Sequence, residues 1–151
     1  MFRGVNVLSL DAKGRIALPT RYREPLQELC SGRLVTTVDP DNCLLIYPYP
    51  DWQEIERKLM RLPTFNRQAR TLQRLLIGHA TECDMDGNGR ILIAPPLRDF
   101  AGLDKRVVLI GQGHKLELWD EQRWNDNCGQ WLHDAQQGDQ PLAPELESLS
   151  L

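Results

Sequence analysis

The sequence predicts a mostly-β α+β fold with peripheral helices, built twice over within one chain. Three observations predict it. Asp11-Ala12-Lys13-Gly14-Arg15-Ile16 returns 75 residues later as Asp86-Gly87-Asn88-Gly89-Arg90-Ile91. The echo continues beyond the motif: Arg23 meets Arg98 and Glu24 meets Asp99 at the same offset. After a three-residue contraction, Val35, Leu44, Tyr47 and Trp52 meet Val107, Leu116, Trp119 and Trp124. The third observation is composition within each copy: short β-rich runs bounded by turn residues, with helical spacing confined to the margins. Two copies are too few, and the period too long, for a solenoid, so they predict one body with a pseudo-two-fold axis.

Each Asp-x-x-Gly-Arg-Ile stretch has the chemistry of a tight hairpin. Asp opens a type I turn and accepts from the amides that follow, and Gly closes it at positive φ, where a Cβ would be strained. Residues 4–10 read as the strand entering the first hairpin and Arg15–Leu18 as its return. Thr20 is placed to cap a helix over about 21–29, which Pro25 should kink or shorten. Strands follow at 34–39 and 43–48 around Pro40-Asp41-Asn42. An amphipathic helix is predicted over 51–62, from Trp52, Ile55, Leu59 and Leu62. A second, over about 67–77, sets Leu72, Leu75 and Leu76 against a basic stripe of Arg67, Arg70 and Arg74. The second copy reads as strand 81–85, hairpin 86–89, strand 90–94, a helix from Pro95 to about Ala101, and strands 106–110 and 115–119. A helix over about 121–135 closes it, with Trp124, Cys128, Trp131 and Leu132 inward. Residues 136–151 read as an acidic, flexible tail whose Leu142, Leu146, Leu149 and Leu151 are free to dock.

A chain of 151 residues is enough for one domain with a substantial core. No apolar run approaches the ~20 residues of a membrane span, and the opening residues do not form a secretory signal, so a cytosolic protein is expected. Cys30, Cys43, Cys83 and Cys128 lack metal or redox spacing and are expected to be reduced. Net charge is −3, but it is unevenly spread. Residues 1–24 carry five basic side chains against two acidic, and residues 117–151 carry one against eight. A basic front and an acidic rear suit a polyanionic partner met in one orientation.

Catalytic signatures are missing. Asp84-x-Asp86-x-Asn88-Gly89 imitates a calcium loop, but its twelfth position is Pro95 and its flanks read as strands. His79 and Cys83 have no further ligands nearby. Gly111-x-Gly113 lacks the rest of a dinucleotide fingerprint, and no nucleophile elbow, Walker loop or zinc-protease motif occurs. No metal, cofactor or enzyme activity is expected.

The candidate chemistry is therefore cationic. Lys13 and Arg15 are either solvated charges on a turn or a rigid tip that enters a DNA groove, where arginine commonly reads guanine. Arg3 is expected on the adjoining strand. Arg90 lacks a neighbouring lysine and reads as a salt-bridged or structural arginine, or as a secondary DNA contact.

The opening Met1-Phe2-Arg3-Gly4, the paired turns, Pro19-Thr20-Arg21-Tyr22-Arg23, Leu75-Leu76-Ile77-Gly78-His79-Ala80 and Glu117-Leu118-Trp119-Asp120 together resemble the MraZ family. These are bacterial regulators encoded at the head of the division and cell-wall gene cluster, and the resemblance runs from residue 1 to about 135. It implies an AbrB-like swapped-hairpin β-barrel: a single domain, 1–135, of two repeats (about 5–52 and 81–124) joined by helices around 51–77. It also implies a homo-oligomeric ring of about eight or more subunits, associated with the nucleoid. The ring would bind double-stranded DNA at short direct repeats upstream of its own operon, as a repressor. Carried onto this chain, the DNA-binding residues are Arg3, Lys13 and Arg15, with Asp11 and Gly14, and Asp86 and Gly89 in the second copy, shaping the turns. Arg21 and Arg23 are secondary candidates for phosphate contact or subunit pairing. Pro25 inside the first helix and the tail beyond Ala135 depart from the family pattern. The alternative left open is an assembly module that recruits a protein partner and uses its arginines as subunit glue.

Overall fold

The two echoing stretches fold into near-identical turns in the computed structural model, which describes residues 1–138 and 142–150. Gly14 N donates to Asp11 O at 3.0 Å, and Gly89 N to Asp86 O at 3.0 Å. Asp11 Oδ1 accepts from the amides of Lys13 and Arg15 at 2.9 and 2.8 Å. Asp86 Oδ1 does the same for Asn88 and Arg90 at 2.8 and 3.0 Å. The glycines have φ of +86° and +73°.

The strands flanking each turn do not form the hairpins the sequence suggested. Strand β1 (Phe2–Ser9) pairs along its length with β7 (Arg106–Gly113), whereas β2 (Arg15–Ala17) pairs with β6 (Arg90–Leu92). Each turn thus sends its two strands into different sheets. The reason lies across the molecule: Ile16 and Ile91 meet in register on the inner face of the β2–β6 ribbon, each 1% exposed. That burial is available only if the second strand of each turn leaves the first.

The larger sheet has the order β1-β7-β8-β4-β3-β5, all antiparallel, with β3 at Leu34–Val38, β4 at Leu44–Pro48, β5 at Thr81–Glu82 and β8 at Leu116–Asp120. Exchanging the two copies turns this order into itself. The exchange axis runs through two register pairs that join equivalent residues, Ile16 with Ile91 and Leu45 with Glu117. Strand β5 is shorter than the predicted 81–85, although Cys83 N and Met85 N still donate to Leu34 O and Gly32 O.

One core lies between the six-stranded sheet and the layer formed by the β2–β6 ribbon with helix α1 (Thr20–Cys30) and its shorter equivalent in the second copy, Pro95–Ala101. It includes Ile16, Leu18, Leu26, Leu44, Ile91 and Leu109. A smaller cluster on the sheet's other face joins Val35, Leu45, Tyr47 and Trp52 under α2 (Tyr49–Met60). Strands β3 and β4, covered on both faces, are buried at all ten positions. Helix α1 runs through Pro25 without being shortened, and its cap is Pro19, with Thr20 as the first helical residue. Tyr22 and Leu26, buried on either side of Pro25, hold it by tertiary packing.

The predicted 67–77 helix is α3 (Arg67–Leu72) followed by a π-helical turn, Gln73–Ile77. Leu76 O accepts the buried Thr37 hydroxyl at 2.6 Å, which ties the helix to β3. Helix α4 is Pro95–Ala101 as predicted, and all four cysteines are free thiols. Burial pushes the Cys83 thiol up to about 11, so it stays neutral and unreactive.

Residues 1–121 and 122–151 are separate compact units. Helix α5 (Glu121–Gln137) has no fully buried residue: of the four residues expected inward, Trp124 and Cys128 are half-buried and Trp131 and Leu132 exposed. The Trp124 and Trp131 rings meet edge to face at 5.7 Å. A short helix α6 (Pro144–Glu147) follows, with Leu142, Leu146 and Leu149 exposed. Leu151 lies outside the described residues, as do residues 139–141.

Candidate nucleic-acid interface

Side chains alternate across a strand, so burying Ile16 and Ile91 turns Arg15, Ala17, Arg90 and Leu92 to the opposite face of the ribbon. Arg15 pairs with Leu92 and Ala17 with Arg90. The two arginines are therefore diagonal neighbours, roughly 7–8 Å apart at their Cα atoms. Lys13 is exposed on the first turn, beside this face.

The two arginines are held differently. Arg15 Nε donates to Asp11 Oδ2 at 2.9 Å, while the Arg15 amide donates to the same carboxylate's other oxygen. A guanidinium has five N–H donors, and this bond engages one, which fixes the plane and leaves four donors for another partner. The carboxyls of Asp11 and Asp86 lie below their ordinary values, chiefly because the amides of Arg15 and Arg90 donate to them. Both therefore stay ionised as turn braces at neutral pH. Arg90 is exposed, and among the described residues its side chain has no ion pair. Within the chain, Arg15 is ion-paired to its turn aspartate and Arg90 is not.

The remaining candidates go elsewhere. Arg3 stands eight residues from Asp11 along extended chain, roughly 25 Å away, so it is not beside the first turn. It lines a hollow with Arg21 instead. Arg21 donates to Asn6 Oδ1 and lies over the Tyr22 ring, 5.0 Å from its centroid. Arg23 reaches under the second turn: its Nε donates to Leu18 O at 2.7 Å, and its side chain fills the space a Cβ on Gly89 would need. Arg98, its equivalent at offset 75, packs in the same way under Gly14.

Sequence reasoning missed two contributors to this surface. Arg98 supports the first turn, a role that its alignment with Arg23 could have suggested. Lys105 is brought beside the first turn because Leu10 N donates to its carbonyl at 2.8 Å, and it lines a groove of about 780 Å³ with Asp11, Ala12 and Arg106. Only the β1–β7 pairing places Lys105 there. Among the described residues no group of three His, Cys, Asp or Glu could hold a metal ion, and no helix is long and apolar enough to cross a membrane.

This pair of turns on a duplicated body has relatives. Residues 1–75 and 76–137 each match a family model described as "MraZ protein, putative antitoxin-like". The chain belongs to the MraZ family. It is 61% identical to the transcriptional regulator MraZ of Thioalkalivibrio sulfidiphilus over 151 residues, all of both chains. It is 59% identical to that of Halorhodospira halophila and 52% identical to that of Coxiella burnetii, each over 152 residues and all of both chains. MraZ is a family of transcriptional regulators rather than enzymes. Each of the two model matches contains one copy of the repeat.

Proposed function

We propose that this MraZ regulator binds double-stranded DNA through the outward face of the β2–β6 ribbon. The observation that carries the reading is the display of Arg15 and Arg90 on that face, over a buried isoleucine pair and with Lys13 and Lys105 beside it. A two-stranded ribbon fits the major groove, and arginine is well suited to guanine and to phosphate. Arg15, locked by Asp11, is the base reader. Lys13, Arg90 and Lys105 hold phosphates, and Arg3 and Arg21 form a separate cationic spot for the flanking backbone. We read the body as an AbrB-like swapped-hairpin barrel, since each turn hands its second strand to the other copy.

One ribbon makes few contacts, so a single chain binds weakly. A ring of about eight or more subunits on short direct repeats multiplies those contacts through effective concentration. The operator is the protein's own upstream region, the effect is repression, and the setting is the cytoplasm at the nucleoid. The net negative charge of residues 117–151 opposes the approach of DNA to that part of the chain.

Fluorescence anisotropy of labelled upstream DNA at two salt concentrations tests this. Wild type should bind with an affinity that falls steeply with salt. Arg15→Ala should bind at least about tenfold more weakly and lose sequence preference, whereas Lys105→Ala should weaken all sequences alike and flatten the salt slope. If Arg15→Ala and Arg90→Ala both bind as wild type, the ribbon is not the reader and the assembly-module reading replaces this one.

A further inference from the structure

Helix α2 separates two apolar features. At its N-terminal end lies a groove of about 380 Å³ lined by Met1, Phe2, Pro25, Leu29, Pro48 and His114, with Glu28 and Asp51 as its acidic side chains; Arg3 and Arg21 line the adjoining hollow on the far side of Phe2 and Pro25. The helix then runs 12 residues, about 18 Å. Beyond its C-terminal end the Pro63-Thr64-Phe65-Asn66 loop holds Phe65 at 96% exposure, and Met60 in the last turn of the helix is 67% exposed. Among the described residues nothing covers the Phe65 ring.

Charge divides the same way. Residues 57–81 contain Arg57, Lys58, Arg61, Arg67, Arg70 and Arg74 and not one acid. Residues 24–56 contain seven acids and Arg33 alone as a base. The helix dipole accounts for Asp51 at the start of α2 and for Arg57 and Lys58 at its end. It does not account for Arg61, Arg67 and Arg74, which are exposed in the segment that follows the helix and contains Phe65. A basic-rimmed apolar knob and an acidic-rimmed apolar hole complement one another, and aromatic residues, methionine and arginine are enriched at interfaces.

We propose that Phe65 of one copy of this chain seats in the groove at the N-terminal end of α2 of the next copy, head to tail. The inference deepens the ring reading above by giving it a contact. Knob and hole occupy different ends of one helix, so the contact is heterologous and leaves a free knob and a free hole until a ring closes. The other apolar segment of the chain, residues 142–150, carries Glu145 and Glu147 and has the wrong charge for an acid-rimmed groove.

Light scattering on full-length variants tests this. Phe65→Asp and Leu29→Asp alter exposed residues, so both should stay folded by circular dichroism. Each alone should be monomeric. Mixed in equal amounts they should give a one-to-one dimer and nothing larger, because one retains the hole and the other the knob. Arg61→Glu with Arg67→Glu should weaken assembly at least about tenfold, and adding Glu28→Lys with Asp51→Lys should restore it. The proposal is overturned if wild type is a monomer or a closed dimer, if either single variant keeps the wild-type mass, or if the mixture stays monomeric. Assembly as described without any DNA binding would sink the DNA reading and leave this contact standing. DNA binding by wild type alongside a Phe65→Asp variant of wild-type mass would do the reverse.

Discussion

Gly14 and Gly89 each meet two demands at once. Both sit at positive φ, and both leave room for an arginine from the other copy, Arg98 and Arg23 respectively. Gly14→Ala should therefore cost about 1–3 kcal/mol in denaturant unfolding, from backbone strain plus displacement of Arg98. Gly87, in the second turn but without a positive φ or a close neighbour, is the control: Gly87→Ala should change stability by less than about 0.5 kcal/mol. The turn aspartates give a pH prediction. Their folded values are depressed, so what they contribute is present above the ordinary carboxylate range, near pH 4, and is lost as pH falls through the folded values. Acid titration of stability should fall less steeply below about pH 4 in Asp11→Asn than in wild type.

The ribbon owes its place to two side chains. Ile16 and Ile91 are paired in register and buried, and between them they decide which face of each three-residue strand meets solvent. Ile91→Ala should destabilise by about 2–4 kcal/mol, read as a lowered melting temperature. It should also weaken DNA binding through loss of ribbon geometry, although Ile91 itself lies on the buried face. Pro25 carries a related lesson about helices. Propensity argued for a shortened α1, but Tyr22 and Leu26 anchor the helix on the core side, and packing outweighed the lost backbone bond. The π-helical turn after α3 had no signal in the apolar spacing; within it Leu76 O accepts from Thr37 on a distant strand, a contact no local pattern records.

Across the whole molecule, the copies complete one another. Strand β1 pairs with β7, β2 with β6 and β5 with β3, so every strand adjoining a turn has its partner in the other copy. Residues 1–75 expressed alone should not give a folded monomer. Circular dichroism and light scattering should report either an unfolded chain or a dimer that rebuilds the missing pairings. A folded monomer would mean that the intermolecular-looking pairings are dispensable. The same exchange brings Arg15 of the first copy and Arg90 of the second onto one two-stranded ribbon, although the chain as a whole has net charge −3.

The sequence by itself determined what is local or repeated. The Asp-x-x-Gly turns, the helix positions, most strand positions and the duplication were legible because turn chemistry, hydrophobic spacing and self-similarity act over a few residues or by direct comparison. It also held the candidate arginines, but not their surroundings. Only the tertiary structure decided that the turn strands exchange between copies, that Arg3 lies far from Arg15, that Arg23 and Arg98 lie under turns, and that Lys105 joins the surface. Those outcomes rest on contacts between residues 45 or more positions apart, or on how far extended chain carries a side chain, and no local pattern encodes either.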